Sequence, residues 1–215
     1  MNGATLFLRH FLRRDRWMLL WWTIGATVLY WSQAVSVDGL YRTQAEFDRA
    51  AALMSDNAAF IAMAGPARAL NTIGGQVTWQ ATAFGAIVAG LMSMFLVGRH
   101  TRAEEESGRD ELLRAAAVGR LAPMTAAVVD ALIANVLLGA FVALSLVTYP
   151  LAAADSIALG LGLTLCGWVF TGTALLAAQL TSSTRAMYGI AGAFIGLAYA
   201  LRAIGDVGNP LLSWL

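Results

Sequence analysis

The run Gln76-Val77-Thr78-Trp79-Gln80-Ala81-Thr82-Ala83-Phe84-Gly85-Ala86-Ile87-Val88-Ala89-Gly90-Leu91-Met92-Ser93-Met94-Phe95-Leu96-Val97 decides the fold. It contains no acidic or basic side chain, and after Gly98 it is followed by Arg99-His100-Thr101-Arg102-Ala103-Glu104-Glu105-Glu106. A helix needs about 20 apolar residues to cross a bilayer, and this run has that length. The abrupt change from apolar to charged marks the point where such a helix meets water. Four more stretches read the same way: 17–36, 123–147, 156–179 and 186–204.

Composition agrees. The 215 residues are 59% hydrophobic, with a mean hydropathy of +0.66. Those values fit a polytopic membrane protein and not a soluble domain. The apolar runs are continuous, without the two-residue alternation of a membrane β-barrel. The expected fold is therefore all-α: a transmembrane bundle of about five spans.

Orientation follows from the arginines, since all fourteen basic residues are Arg. With the N-terminus inside, Arg9, Arg13, Arg14, Arg16, Arg99, Arg102, Arg109, Arg114, Arg120 and Arg185 fall in cytoplasmic segments. Only Arg42, Arg49, Arg68 and Arg202 fall outside. The positive-inside rule thus predicts a cytoplasmic N-terminus and a cytoplasmic loop over 99–121. Trp17, Trp21 and Trp22 at one end of the first span, and Tyr30 and Trp31 at the other, suit the two membrane interfaces.

Residues 1–16 interleave Leu6, Phe7, Leu8, Phe11 and Leu12 with Arg9, His10, Arg13 and Arg14. That pattern predicts an amphipathic helix on the inner leaflet, either a simple orientation anchor or an elbow that touches a partner. The loop 37–75 predicts one amphipathic helix, through Phe47, Ala50, Ala51, Met54 and Ala58, broken at Gly65-Pro66.

The charged loop carries two capping boxes, Thr101 with Glu104 and Ser107 with Asp110. A helix begun at Ser107 would run through Leu112, Leu113, Ala116 and Val118 and stop at Gly119. Pro123 would open the next span. Such a helix can set an apolar ridge into a groove of a cytosolic protein. The plainer reading is a solvated run of charge that orients the chain.

Other chemistry is sparse. The single Cys166 excludes an internal disulfide. His10 and His100 are far apart with no ligand cluster near them in sequence, so no metal site is expected. No nucleic-acid partner is expected either. The usual P-loop needs a lysine, and the chain has none. No Ser–His, Cys–His or paired-carboxylate arrangement is visible in the spans. Asp130 is the one carboxylate well inside a span, and burial there is costly. It is either a substrate or proton contact or a polar tie between helices. Gln80, Asn135 and Gln179 suggest interhelical hydrogen bonds. Gly192 and Gly196, with Gly189 and Ala193, form a small-residue face, and Gly85, Ala89 and Gly90 form another.

The stretch Glu105-Glu106-Ser107-Gly108-Arg109-Asp110-Glu111-Leu112-Leu113, with Val118-Gly119-Arg120 after it, resembles the loop that follows the second span of ABC-2 type transporter permeases. In that family the loop forms a coupling helix that docks on an ATP-binding subunit. Arg109 and the turn Ala115-Ala116-Ala117 look most similar to the polyketide-antibiotic exporter permeases of actinobacteria, such as those for tetronasin.

The resemblance implies that Glu105, Glu106, Gly108, Arg109, Glu111, Leu112, Leu113, Arg114 and Arg120 dock the partner. It also implies that ATP and Mg act on a partner dimer, with no cofactor in this chain. The chain would then be a permease and not an enzyme, moving a hydrophobic or amphipathic small molecule out of the cell. The family half has six spans where this chain shows five. The expectation is therefore an N-terminal half of a larger permease, working with a second half or second copy. The alternative is a membrane anchor or scaffold that holds a cytosolic partner through 99–121.

Overall fold

The computed structural model describes residues 3–55, 57–108, 119, 121–149 and 151–208. Eight helices are described: α1 (Ala4–Leu40), α2 (Gln44–Ser55), α3 (Ala58–Ala64), α4 (Ile73–His100), α5 (Arg102–Glu106), α6 (Ala122–Thr148), α7 (Ala153–Leu180) and α8 (Thr184–Val207). The described residues contain no strand. Helices α4, α6, α7 and α8 are long and apolar enough to cross a membrane. The segment 17–36, expected as the first of five spans, lies within α1, which is 37 residues long. Its several Trp, Ser, Thr and Gln residues keep α1 less apolar than the other four helices.

Residues 4–40 form one continuous helix, where the sequence suggested a separate interfacial helix before the span. The reason is a single buried stripe. Phe11, Asp15, Leu19, Thr23, Ala26, Tyr30, Ala34 and Val37 recur every three or four residues, the period of one helical face. No proline interrupts it. Arg9, Arg13 and Arg16 stay on the exposed side. The loop after α1 holds two helices instead of one. Asn57 starts the second, its side chain accepting from the backbone N–H groups of Ala59 and Phe60.

Helices α1, α4, α6 and α7 form the core, and α8 lies against α4 and α7. Long helices that follow one another in the chain alternate in direction. Tyr30 of α1 donates to the Ala81 carbonyl of α4 at 3.1 Å, while Arg14 pairs with Glu104 beyond the other end of α4. Glycine sets the closest approach. A Cβ on Gly139 of α6 would lie 2.3 Å from the Gly160 carbonyl of α7, so the two backbones touch there. Gly85 receives Tyr30 and Gly90 receives Phe170 and Ile195 in the same manner.

Polar groups in the core are tied across helices. Asn135 Nδ2 donates to Ser93 Oγ at 2.9 Å, and Ser93 Oγ donates to the Gly167 carbonyl at 3.0 Å. This linkage joins α6, α4 and α7 in the way polar residues join membrane helices. Gly189, Gly192 and Gly196 meet no atom within 4 Å of an added Cβ. Their face of α8 points away from the rest of the described chain.

Candidate functional site

Helices α1, α4 and α6 meet at a buried polar seam. The alanines Ala126, Ala127, Ala131 and Ala134 line α6 there and are almost fully buried. Their small side chains let α1 and α4 come close, which seals Asp130 from solvent. Asp15 enters from α1 one turn beyond Phe11, and His100 is the last residue of α4. Asp15 and Asp130 are 0% exposed and His100 is 3% exposed.

The His100 imidazole Nε2 is hydrogen-bonded to Asp15 Oδ2 and lies 3.9 Å from Asp130 Oδ2. Arg99 reaches in from the half-exposed side, with Nη1 3.2 Å from Asp15 Oδ1. Phe11 stacks flat on the imidazole, ring centroids 3.8 Å apart and planes 20° from parallel. Both Asp130 oxygens and His100 Nδ1 lack a hydrogen-bond partner among the described residues. A carboxylate buried without a partner is costly while it is charged, so Asp130 needs a proton or a positive centre beside it. Each of Asp15, His100 and Asp130 offers one metal-ligand atom, all within 4.8 Å of one another.

The charged segment leaves directly from this seam. Thr101 does not cap α5; its hydroxyl donates back to the Val97 carbonyl at 2.7 Å. Arg14 of α1 pairs with Glu104, and Arg102 pairs with Glu105. Glu106 Oε1 accepts from the Thr184 backbone N–H at 2.8 Å, at the first turn of α8. Gly108 has φ +71°, a conformation that favours glycine, and it turns the chain after α5. Further along the chain, the Gly119 carbonyl accepts from Ala122 N–H at 2.8 Å, and Pro123 sits in the first turn of α6.

Of the residues nominated from sequence, Glu105, Glu106 and Gly108 lie together on this element. Arg109, Glu111, Leu112, Leu113, Arg114 and Arg120 lie outside the described residues, as does the helix expected after Ser107. Asp130 is nearby but belongs to the seam. Sequence reading passed over Asp15, Arg99 and His100. Asp15 carried a usable signal, because it falls four residues from both Phe11 and Leu19 and is the one charged residue of that buried stripe. His100 carried none, since its partners are distant in the chain.

At the opposite end, an open cleft of about 820 Å³ lies between the α3–α4 connection and the α6–α7 hairpin. Trp79, Thr82, Leu146 and Leu159 line it, with Arg68 and Asp155 at its polar parts. Arg202 of α8 secures the adjoining helix by donating to the Ala62 and Met63 carbonyls at 2.7 and 3.1 Å.

No family model matches the chain. It is 39% identical over 214 residues to a multidrug efflux system permease protein of Mycobacterium tuberculosis (strain ATCC 25618 / H37Rv). The match covers 99% of this chain and 39% of that relative, so the chain spans about two fifths of the relative's length. With its four long apolar helices, the chain is a multi-pass protein of the bacterial cell membrane.

Proposed function

We propose that this chain is the permease subunit, or half of one, of an ABC-type exporter. ATP is bound and hydrolysed with Mg on a separate ATP-binding dimer, and this chain converts that cycle into efflux of a hydrophobic or amphipathic small molecule such as an antibiotic. In this reading α1 joins the other four long helices as a fifth span, and the N-terminus and the segment 99–121 face the cytoplasm. A second permease half or a second copy completes the path.

The observation that carries the proposal is how the charged segment is tethered. Arg14–Glu104 binds it to α1, and the Glu106 contact with Thr184 binds it to α8. It also continues directly from α4. A push delivered by a docked partner would therefore reach three long helices at once. The outward faces of α1 and α8 carry exposed Trp21, Ile24, Val28, Phe194, Leu197 and Leu201, which suits helices that slide against lipid or another permease half. The similarity to a multidrug efflux permease supports the same reading.

The test is purification from native membrane together with any ATP-binding partner. Leu112→Asp and Leu113→Asp should abolish co-purification of that partner and lower efflux, while the permease remains in the membrane. Retention of a stoichiometric ATPase and of efflux in both variants would refute the docking role. A partner without ATPase activity would instead support the scaffold reading.

A further inference from the structure

The Asp15–His100–Asp130 seam takes no direct part in the contacts that tether the charged segment to α1 and α8. Three lone-pair donors from three helices converge on one small volume: an imidazole nitrogen and two carboxylates, with ligand atoms within 4.8 Å of one another. All three side chains are sealed from solvent. Arg99 answers the charge of only one carboxylate, Asp15. Asp130 has neither an arginine nor a hydrogen bond among the described residues, yet it is 0% exposed. A buried carboxylate aimed at an imidazole nitrogen and a second carboxylate needs its charge balanced there, by a proton or by a positive centre among the three groups.

We propose that Asp15, His100 and Asp130 form a binding site for one divalent transition-metal ion of the zinc type. The donor set is right for such an ion, since imidazole and carboxylate together suit zinc and its neighbours better than the all-oxygen shells of calcium or magnesium. The three groups converge, and the direct His100 Nε2–Asp15 Oδ2 hydrogen bond must open for both atoms to face an ion. Ligands at about 2.0–2.1 Å from zinc can stand at most ~4.2 Å apart across the ion, and His100 Nε2 and Asp130 Oδ2 are 3.9 Å apart. Asp15 turns one oxygen to the site while Arg99 holds the other, the kind of outer contact that orients a ligating carboxylate. Phe11 covers the imidazole face and keeps water off that side. The bound ion staples α1, α4 and α6 together at the root of the charged segment. Its effect on docking rests on the exporter reading, but the site itself does not.

The test needs no transport. Tag-free protein from zinc-supplemented cells is purified in lipid nanodiscs and its metal content measured by mass spectrometry. Cobalt is then substituted to give a visible absorption spectrum. The expected result is one zinc per chain and a cobalt spectrum with an imidazole ligand. Both should be lost in His100→Gln and Asp130→Asn and kept in His10→Gln, which removes the only other, exposed, histidine. Arg99→Gln should weaken zinc binding about 10- to 100-fold while leaving the ligands in place.

The wild-type measurement stands without the variants, should these fail to fold. Wild-type protein that contains no zinc, takes up no cobalt and keeps its unfolding temperature when zinc is added would overturn the proposal. A proton shared within the seam would then be the balancing charge. Zinc held equally by His100→Gln would overturn it too. Absence of efflux by wild-type protein that does hold zinc would count against the exporter reading alone.

Discussion

Gly139→Ala tests whether the α6–α7 contact is the tightest joint of the bundle. The new Cβ would lie 2.2 Å from Thr164 Oγ1 and 2.3 Å from the Gly160 carbonyl oxygen. A hydroxyl can rotate away, but a backbone carbonyl inside a helix cannot. Ordinary contact begins at 3.4 Å, so the two helices must part by about 1.1 Å, from 2.3 to 3.4 Å. Overpacking of this kind costs about 1–3 kcal/mol. Thr164 Oγ1 also bonds the Asn135 carbonyl at 3.2 Å, and a lost intramembrane hydrogen bond adds roughly 0.6 kcal/mol.

Alanine is a better helix former than glycine by about 0.8–1.0 kcal/mol, which partly hides the loss. Gly162→Ala provides the correction, because Gly162 lies inside α7, on its exposed side, with no atom within 4 Å of an added Cβ. The difference between the two variants isolates the steric cost, about 1.6–3.6 kcal/mol. Reversible unfolding in mixed micelles, titrated with denaturing detergent and followed by circular dichroism, measures both. If Gly139→Ala proves no less stable than Gly162→Ala, the close approach is not a packing constraint and the account of the joint is wrong.

Three further outcomes are expected. Asn135→Leu breaks the link through Ser93 to Gly167 and should cost roughly 0.6 kcal/mol, at most about 1.7, in the same unfolding assay; a gain in stability would show that the buried amide is not a net tie. Arg202→Ala removes the two donations to α3; with charged hydrogen bonds worth about 1.5–3 kcal/mol, hydrogen exchange should rise about 10-fold or more in α3, and unchanged exchange would mean that α3 is held by other contacts. Tyr149, just past the end of α6, donates to Asp38 Oδ2 at 2.6 Å, and this bond, with a smaller effect of burial, raises the phenol above its ordinary pKa. The folded value is thus above the unfolded value of about 10, so the bond's contribution is present below that pH and is lost as pH rises through the folded value. Ultraviolet titration should show a late-ionising phenol that disappears in Tyr149→Phe and moves down in Asp38→Asn; no movement in Asp38→Asn would break the assignment.

Much of the helical order was legible because it depends on local properties. Length and apolarity mark the runs within α4, α6, α7 and α8, and an abrupt gain of charge marks the end of α4. The polar ties of Asn135 and the start of α6 near Pro123 were legible for the same reason: a buried amide seeks a partner, and proline fits only the first turn. The two small-residue faces differ. Gly85 and Gly90 do receive neighbouring helices, whereas Gly189, Gly192 and Gly196 meet nothing within the described chain. Sequence spacing identifies a face that permits close approach, but not which neighbour arrives.

The chain's own sequence determined that it forms long apolar helices separated by short polar breaks, because bilayer-length apolarity and helical periodicity are read within a few turns. Only the tertiary structure decided that residues 4–16 and 17–36 form one helix whose buried face carries Asp15, and that this carboxylate meets His100 from 85 positions away beside Asp130. That meeting depends on alanines on α6 and glycines at the helix crossings, which set interhelical distance and so decide which distant side chains share one buried volume. No local pattern contains that distance.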